Sequence, residues 1–549
     1  MVSSTRAADR ILLGVPASRG LAAGPTLRFR RAAALPAPHP VTDPAAEATL
    51  AASALAAVAA ELTERSAVAS TAQARDVLDA QALMAADPVL AESVTARVAM
   101  GEDAAYAVYG ALGEQADGLR AGGGFLAERA ADLEDVRDRA VARILGRPSP
   151  AIPSSGRPFV LIAEDLSPAD TATLSPDLVL ALVTERGGPT SHTAIIARAL
   201  GLPAIVGCPG ATGIEDGTLV LVDGEAGRLE IGVDQATVAE AAERQRAALQ
   251  VELEYADEPG RTADGHPIPL LLNIGSADDL PDDLPGTGLD SVEGVGLFRT
   301  ELLFLDRTDA PGFDEQRAAY ERVFRALPGR RVVVRTLDAG ADKPLPFLHL
   351  GTEPNPALGI RGLRTARLRP ELLDLQLAAI AAAADVTEAD VWVMAPMVSV
   401  EAEAREFAAA ARAHGLAKVG VMIEVPAAAL LADRILRHVD FLSIGTNDLG
   451  QYTMAADRQN GALGDLLDPA QPALLSLIAM CAEAAAAAGR PVGVCGEAAG
   501  DPALAPVLVG LGISSLSMSA RAVPAVRAAL ARHSLDDAER VAGEALARS

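Results

Sequence analysis

The sequence predicts a multidomain α/β protein, in which an α/β domain carrying an all-helical insertion is joined by a long helix to a C-terminal (β/α)8 TIM barrel. Three observations predict it. At 549 residues the chain exceeds what one hydrophobic core usually supports. From about Asp43 to Leu145 apolar residues recur at helical spacing with little strand signal, whereas strand-like runs return on either side. After Gly260 short apolar runs alternate with helical stretches about eight times, the count of a closed barrel.

Taken in order, Leu12 to Gly24 reads as a short strand broken by glycines. The helical insertion follows, with Leu55, Val58, Leu62 and again Leu90, Val94, Val98 on apolar faces, and with breaks at Asp87-Pro88, Gly101 and Gly122-Gly123-Gly124. Strand signal resumes at Phe159–Ala163 and at the apolar run from Val179 to Thr184, and ends with Leu219 to Gly224. Between Val233 and Asp257 there is neither Gly nor Pro, which predicts one helix of roughly 35 to 40 Å, closed by Glu258-Pro259-Gly260. The expected divisions are therefore 1–25 with 150–232 for the α/β domain, 26–149 for the insertion, 233–258 for the linker and 259–549 for the barrel.

The predicted barrel strands are centred on Leu270-Leu271-Leu272, Val295–Phe298, Val332-Val333-Val334, a short segment near Gly359-Ile360-Arg361, Trp392-Val393-Met394, Val419–Ile423, Phe441–Ile444 and Val492-Gly493-Val494. The longest uncharged stretch, Pro502 to Ala520, contains Pro506, Gly510, Gly512 and four serines, so it reads as buried strand and loop. Polar residues follow the runs: Arg299, Arg335 with Asp338, Glu424, Asn447 with Asp448, and Cys495 with Glu497. Such groups at the C-terminal ends of barrel strands converge on one mouth, where these barrels place their chemistry. Arg299, Arg335 and Arg458 offer planar forks for phosphate and carboxylate oxygens. Glu424 and Asp448 suit a hard cation such as Mg²⁺. The implied ligand is a small, highly anionic phosphorylated carboxylic acid.

A second chemical element lies at Gly187-Gly188-Pro189-Thr190-Ser191-His192, where a glycine turn joins a strand to a helix. Thr190 and Ser191 are N-cap types, which places His192 in the first helical turn beside unpaired N–H groups and the positive end of the macrodipole. That setting welcomes an anion and keeps the ring neutral, with a lone pair for phosphorus or for a metal. No second His or Cys lies three or four positions away to complete a metal pair.

A net charge of −26 and a pI near 4.7 argue against nucleic acid and anionic membrane surfaces, and an acidic face suits a basic partner as well as solubility. Cys208, Cys481 and Cys495 form neither a disulfide framework nor a zinc cluster, which fits a reducing cytoplasm. The apolar stretch from Ile11 to Val15 is too short for a secretory signal.

The His192 motif, followed by Leu202-Pro203-Ala204-Ile205-Val206-Gly207, resembles the phosphohistidine signature of enzyme I of the bacterial sugar phosphotransferase system. The resemblance continues through Gly294-Val295-Gly296-Leu297-Phe298-Arg299-Thr300-Glu301, Arg335-Thr336-Leu337-Asp338 with Gly340, Asp342 and Lys343, Asn355-Pro356-Ala357-Leu358-Gly359 with Arg361, Gly420 to Ala427, Ser443 to Thr453, and Cys495-Gly496-Glu497. Pro189 and Val425 depart from the commonest wording of that family without removing a reactive group. The resemblance implies a swivelling phosphohistidine domain and a cytoplasmic, homodimeric, Mg²⁺-dependent enzyme. His192 would take the phosphoryl group of phosphoenolpyruvate and pass it to the carrier protein HPr, which docks on the helical insertion. It further implies that Arg299, Arg335 and Arg458 contact phosphate, Glu424 and Asp448 hold Mg²⁺, Asn447 and Asp448 position the substrate, and Cys495 protonates the enolate. Pyruvate phosphate dikinase and phosphoenolpyruvate synthase share the histidine design but carry an ATP-binding domain ahead of it, and no P-loop precedes His192 here. A catalytically silent relative would have eroded rim residues, whereas all of these are present.

Overall fold

The computed structural model describes residues 11–547 apart from positions 30–34, 68–71, 123, 148–151, 153–155, 167–169, 171–173, 175–176, 189–190, 257, 281–291, 306, 341–344, 349–350, 352 and 459–460. The side chains of 72–74, 76, 121–128, 192, 195, 199, 461–462 and 465 also lie outside the description. Two compact units divide between Arg246 and Ala247.

The first unit is built on an eight-stranded sheet of β1 (Ile11–Leu13), β2 (Val15–Ser18), β3 (Leu21–Arg28), β4 (Phe159–Ala163), β5 (Val179–Thr184), β6 (Ala204–Val206), β7 (Leu219–Asp223) and β8 (Arg228–Ile231), in the order β1-β8-β7-β3-β4-β5-β6-β2. Strands β3 to β6 are parallel and central, and the flanking pairs are antiparallel. Strand β4 is buried at all five positions, as a central parallel strand covered on both faces must be. The opening segment is three strands rather than one, divided at Gly14 and at Gly20, whose φ of +121° needs a residue without Cβ.

Among the described residues, five helices lie between β3 and β4: α1 (Pro44–Ala67), α2 (Ala72–Ala85), α3 (Pro88–Ala99), α4 (Ala104–Gly122) and α5 (Gly124–Ile144). Asp87 caps α3 by accepting from the Val89 N–H at 2.8 Å, with Pro88 at the first helical position. Leu55, Val58, Leu62, Leu90, Val94 and Val98 are all buried in one helical core, as their spacing predicts. By length and hydropathy α1 is apolar enough to cross a membrane. It carries Glu61, Glu64 and Arg65, however, and turns its apolar stripe into this bundle.

Helix α6 (His192–Leu200) follows β5. Helix α7 (Gln235–Glu254) is shorter than the 233–257 span expected, about 30 Å at 20 residues. Its start is set by Asp234, whose carboxylate accepts from the N–H and the hydroxyl of Thr237. Ala241 is its buried residue, and Leu249 and Leu253 are exposed.

The second unit is a closed, all-parallel barrel of β9 (Leu270–Ile274), β10 (Gly294–Arg299), β11 (Arg331–Arg335), β12 (Asp390–Ala395), β13 (Lys418–Ile423), β14 (Phe441–Ile444), β15 (Val492–Val494) and β16 (Ser515–Met518). Seven strands lie where apolar runs predict them. The eighth does not: Gly359 to Arg361 forms no strand, because 3-10 turns at Pro356–Leu358 and Gly362–Arg367 flank it and leave a single antiparallel bridge from Gly340 to Arg361. Strand β16 closes the barrel between β15 and β9, inside the uncharged Pro502 to Ala520 stretch, which also holds the short helix Ala505–Gly510. A continuous apolar core of alanine, valine, leucine and isoleucine fills the space between strands and outer helices.

Candidate active site

In the first unit, Gly187 has φ +97°, and a Cβ there would stand 3.2 Å from Ser191 Oγ, so the turn from β5 into α6 requires glycine. Ser191 is the N-cap, with extended φ and ψ and Oγ accepting from the Ala194 N–H at 3.4 Å. His192 is therefore the first helical residue, with the unpaired N–H groups of the helix start around it. Gly201 ends the helix in the left-handed conformation. The imidazole itself, together with Pro189 and Thr190, lies outside the described residues.

In the second unit, Arg299, Arg335, Glu424, Asn447, Asp448, Arg458 and Cys495 all sit at or beyond the C-terminal ends of barrel strands. Arg335 ends β11 and is 7% exposed. Its guanidinium meets Glu301 at 3.0 Å, Asp338 at 3.3 Å and Glu424 at 3.8 Å. Burial alone would lower its pKa, but these carboxylates more than offset that and hold it above the ordinary arginine value. Arg299 ends β10, exposed, and no carboxylate lies within ion-pair distance of it among the described residues. The density of protein about its guanidinium, and then the charge of Arg335, depress its pKa, so two cations face one region that an anion would relieve.

Behind this pair a buried network sets the spacing. Gln376 donates to Thr300 Oγ1 at 3.0 Å and accepts from the Leu337 N–H at 2.9 Å, while Thr300 donates to the Arg335 carbonyl at 2.9 Å. The ends of β10 and β11 are thereby tied to one amide.

Glu424 is 1% exposed and accepts from the Met397 N–H at 2.9 Å. Met397 adopts φ +57°, unusual for a residue with a side chain, to present that N–H. Burial first, then the charges of Asp338 and Asp448, push the Glu424 carboxyl up to about 7. Asp448 accepts from Arg361 at 3.0 Å and pairs with Arg458 at 3.6 Å. Arg361, 1% exposed, also reaches Asp338 at 3.4 Å. The carboxylates and guanidiniums thus form one connected, alternating array.

Cys495 follows β15 and is 3% exposed. Ser443 Oγ donates to its sulfur at 3.2 Å, and Asn273 donates to its carbonyl at 3.0 Å. Burial pushes the thiol up to about 11, so it carries its proton at neutral pH and is an acid rather than a nucleophile. Gly496 is required next to it, because a Cβ there would lie 1.9 Å from Thr446 Oγ1. Asn447 accepts from the Glu497 N–H at 3.0 Å, which orients its amide.

A hard cation fits Glu424 and Asp448 by donor chemistry: two buried carboxylates, close enough that the charge of Asp448 helps raise the proton affinity of Glu424. Among the described residues no cluster of three or more His, Cys, Asp or Glu could hold a metal alone. A cation here would complete its shell with water and substrate oxygens, the habit of Mg²⁺. The sequence already places Asp338 on the rim, but gives no site role to Glu301, Arg361, Gln376 or Ser443. Arg361 carried a signal, since it follows a glycine-rich turn within the barrel motif, whereas Gln376 sits in an ordinary helix and only its contacts reveal it. Asp342 and Lys343 lie outside the described residues.

A barrel mouth of arginines, carboxylates and a protonated thiol, and a separate α/β domain presenting a histidine at a helix start, define a phosphoenolpyruvate-utilising enzyme. The domain models agree: the PEP-binding domain of PEP-utilising enzymes matches residues 250–535, the mobile domain 156–227 and the N-terminal domain 13–129. The chain is 52% identical over 548 residues to the phosphoenolpyruvate-protein phosphotransferase of Streptomyces coelicolor, covering 98% of this chain and 97% of that one. The enzymes of that name from Haloferax volcanii and Bacillus subtilis are 43% and 40% identical, covering 86% and 84% of this chain and 84% of each relative. The chain belongs to the phosphoenolpyruvate-protein phosphotransferase family.

Proposed function

We propose that the protein transfers the phosphoryl group of phosphoenolpyruvate to His192 and then to a histidine of the carrier HPr, releasing pyruvate as the first step of sugar uptake. The observation that carries this reading is the mouth itself, where Arg299 and the buried Arg335 face one region beside a thiol that keeps its proton. Arg299, Arg335 and Arg458 grip the phosphate with planar forks, and Asn447 offers its amide to the substrate. Glu424 and Asp448 would hold Mg²⁺, which would supply neutralising charge for the substrate oxygens. His192 attacks phosphorus as the bond to the enol oxygen breaks, and the electron pair stays with the enolate. Cys495 then gives its thiol proton to the methylene carbon. The enzyme works as a cytoplasmic homodimer, and its helical insertion receives HPr.

Radiolabelled phosphoenolpyruvate tests this directly. The wild-type chain should acquire acid-labile, base-stable label that His192→Ala loses, and labelled ATP should leave none. Label retained by the variant, or donated by ATP, would overturn the reading.

A further inference from the structure

Arg299 and Arg335 are direct neighbours where the parallel strands β10 and β11 end, and the ladder between them slips in β10 between Val295 and Phe298. The strand pairing beyond such an irregularity is short, so other bonds must fix where the two guanidiniums stand. Helices α8 (Phe313–Arg325) and α9 (Pro370–Ala384) supply them. Gln376 of α9 is buried together with Thr300, Tyr320 and Gln316. Its Nε2 donates to Thr300 Oγ1 at 3.0 Å and to the Tyr320 hydroxyl at 3.1 Å, while its Oε1 accepts from the Leu337 N–H at 2.9 Å. Tyr320 donates in turn to Gln316 Oε1 at 3.0 Å, and Gln316 Nε2 donates to the Pro311 carbonyl at 2.9 Å.

The direction of each bond in this chain is set from its two ends. A backbone N–H only donates and a backbone carbonyl only accepts. The Leu337 N–H therefore orients the Gln376 amide and the Pro311 carbonyl orients that of Gln316, which leaves the Tyr320 hydroxyl to donate to one and accept from the other. Burial pushes the Tyr320 phenol well above its ordinary value, so it keeps the proton this arrangement requires. Both hydrogens of the Gln376 amide are thus committed. One goes to Thr300 Oγ1, whose own proton goes to the Arg335 carbonyl, 2.9 Å away.

Thr300 directly follows Arg299, so its hydroxyl joins the backbone that carries one guanidinium to the backbone that carries the other. Glu301 adds a second grip from the same turn, accepting from Arg335 Nη2 at 3.0 Å and from the Asp338 N–H at 2.9 Å. We infer that Gln376 is a positioning residue for phosphoryl transfer: by donating to Thr300 and accepting from Leu337 it locks the ends of β10 and β11 where Arg299 and Arg335 close on one phosphate. The inference rests on the phosphoenolpyruvate reading above. Gln376 acts through Thr300 and takes no part in bond making or proton transfer. Two planar forks on one phosphate must both be in place at once, and a displacement of about 1 Å can cost about a hundredfold in rate.

The test is self-phosphorylation of the full-length chain by saturating labelled phosphoenolpyruvate with Mg²⁺, with pyruvate removed enzymatically. It gives the fraction of chains that take label and the rate constant at which that fraction forms, and a loss of folded protein lowers only the first. Thr300→Val removes the hydroxyl and keeps the volume, whereas the conservative Thr300→Ser keeps the hydroxyl and loses a methyl. The rate constant should fall by about tenfold to a hundredfold in Gln376→Met and in Thr300→Val, and Thr300→Ser should recover it to within about threefold of wild type. Gln376→Glu, which keeps the acceptor for Leu337 and loses the donor, stands in if Gln376→Met does not fold and should slow the step likewise. A rate constant close to wild type in the Gln376 variant or in Thr300→Val overturns the inference, whatever the labelled fraction. Thr300→Ser as slow as Thr300→Val would make packing, not the hydrogen bond, the cause and overturns it as well. Absence of label in the wild type overturns the phosphoenolpyruvate reading instead.

Discussion

At Glu424 the proposed cation site would be coupled to pH through one buried residue. Its carboxyl is raised from an ordinary 4.5 to about 7 by burial and by Asp338 and Asp448, so it is largely protonated at pH 6 and largely charged at pH 8. A cation at this position displaces that proton. Mg²⁺ affinity, measured by calorimetry, should therefore rise by about fivefold between pH 6 and 7, by about tenfold in all by pH 8, and level off above. Without the cation the sign for stability is opposite. The folded state binds the proton more tightly than the unfolded one, so this group's stabilisation is complete below pH 4.5 and is lost as pH rises through 7. Glu424→Gln should flatten both profiles. Arg335 illustrates a different constraint, since it answers three carboxylates with one planar fork, and its buried Nε–H has no protein partner among the described residues. Arg335→Lys keeps the charge and loses the fork, so kcat/KM for self-phosphorylation should fall by roughly a hundredfold with the fold retained. An unchanged kcat/KM would remove Arg335 from the substrate site.

At the scale of elements, the same buried-charge logic joins helix α5 to its surroundings. Arg139, 1% exposed, meets Asp135 of its own helix at 2.7 Å, Glu61 of α1 at 3.4 Å and Asp170, from the segment between β4 and β5, at 3.0 Å. Arg139→Met would remove a buried cation from between Asp135 and Asp170, with Arg65 the other guanidinium whose charge reaches them. Denaturant unfolding should show a loss of about 3–5 kcal/mol in the first unit, against less than about 1 kcal/mol for the exposed pair of Arg244 and Glu240. Elements also mark how far the sequence could be read. The apolar runs from Val332 to Val334 and from Val419 to Ile423 announce buried parallel strands because their side chains are apolar on both faces. Strand β16, Ser-Leu-Ser-Met, is legible only as buried strand somewhere within the uncharged Pro502 to Ala520 stretch, because its serines break the apolar run and their burial is decided when the barrel closes. Glycine and arginine around Ile360 mimicked a strand for the converse reason: Arg361 is buried by ion pairing, not by an apolar layer.

For the whole molecule, a net charge of −26 sets the terms of encounter with a partner. If HPr meets the helical insertion through a basic face, phosphoryl transfer to HPr should slow several-fold as salt is raised from about 0.05 to 0.3 M. Self-phosphorylation at the walled mouth should change much less. Equal sensitivity of the two steps would argue against electrostatic steering.

By itself the sequence determined the elements and the chemical inventory: the capped helix beginning at His192, seven barrel strands, and the arginines, carboxylates and cysteine that follow them. Helical and strand periods, caps and side-chain chemistry are properties of neighbours in the chain, so they can be read without coordinates. Only the tertiary structure decided which groups act on one another. Arg361 bridges Asp338 and Asp448, 23 and 87 residues away in the chain. Glu424 owes its proton to burial that no local pattern encodes. Burial and charge coupling are set by distance in space, and closing the barrel is what brings these groups within reach.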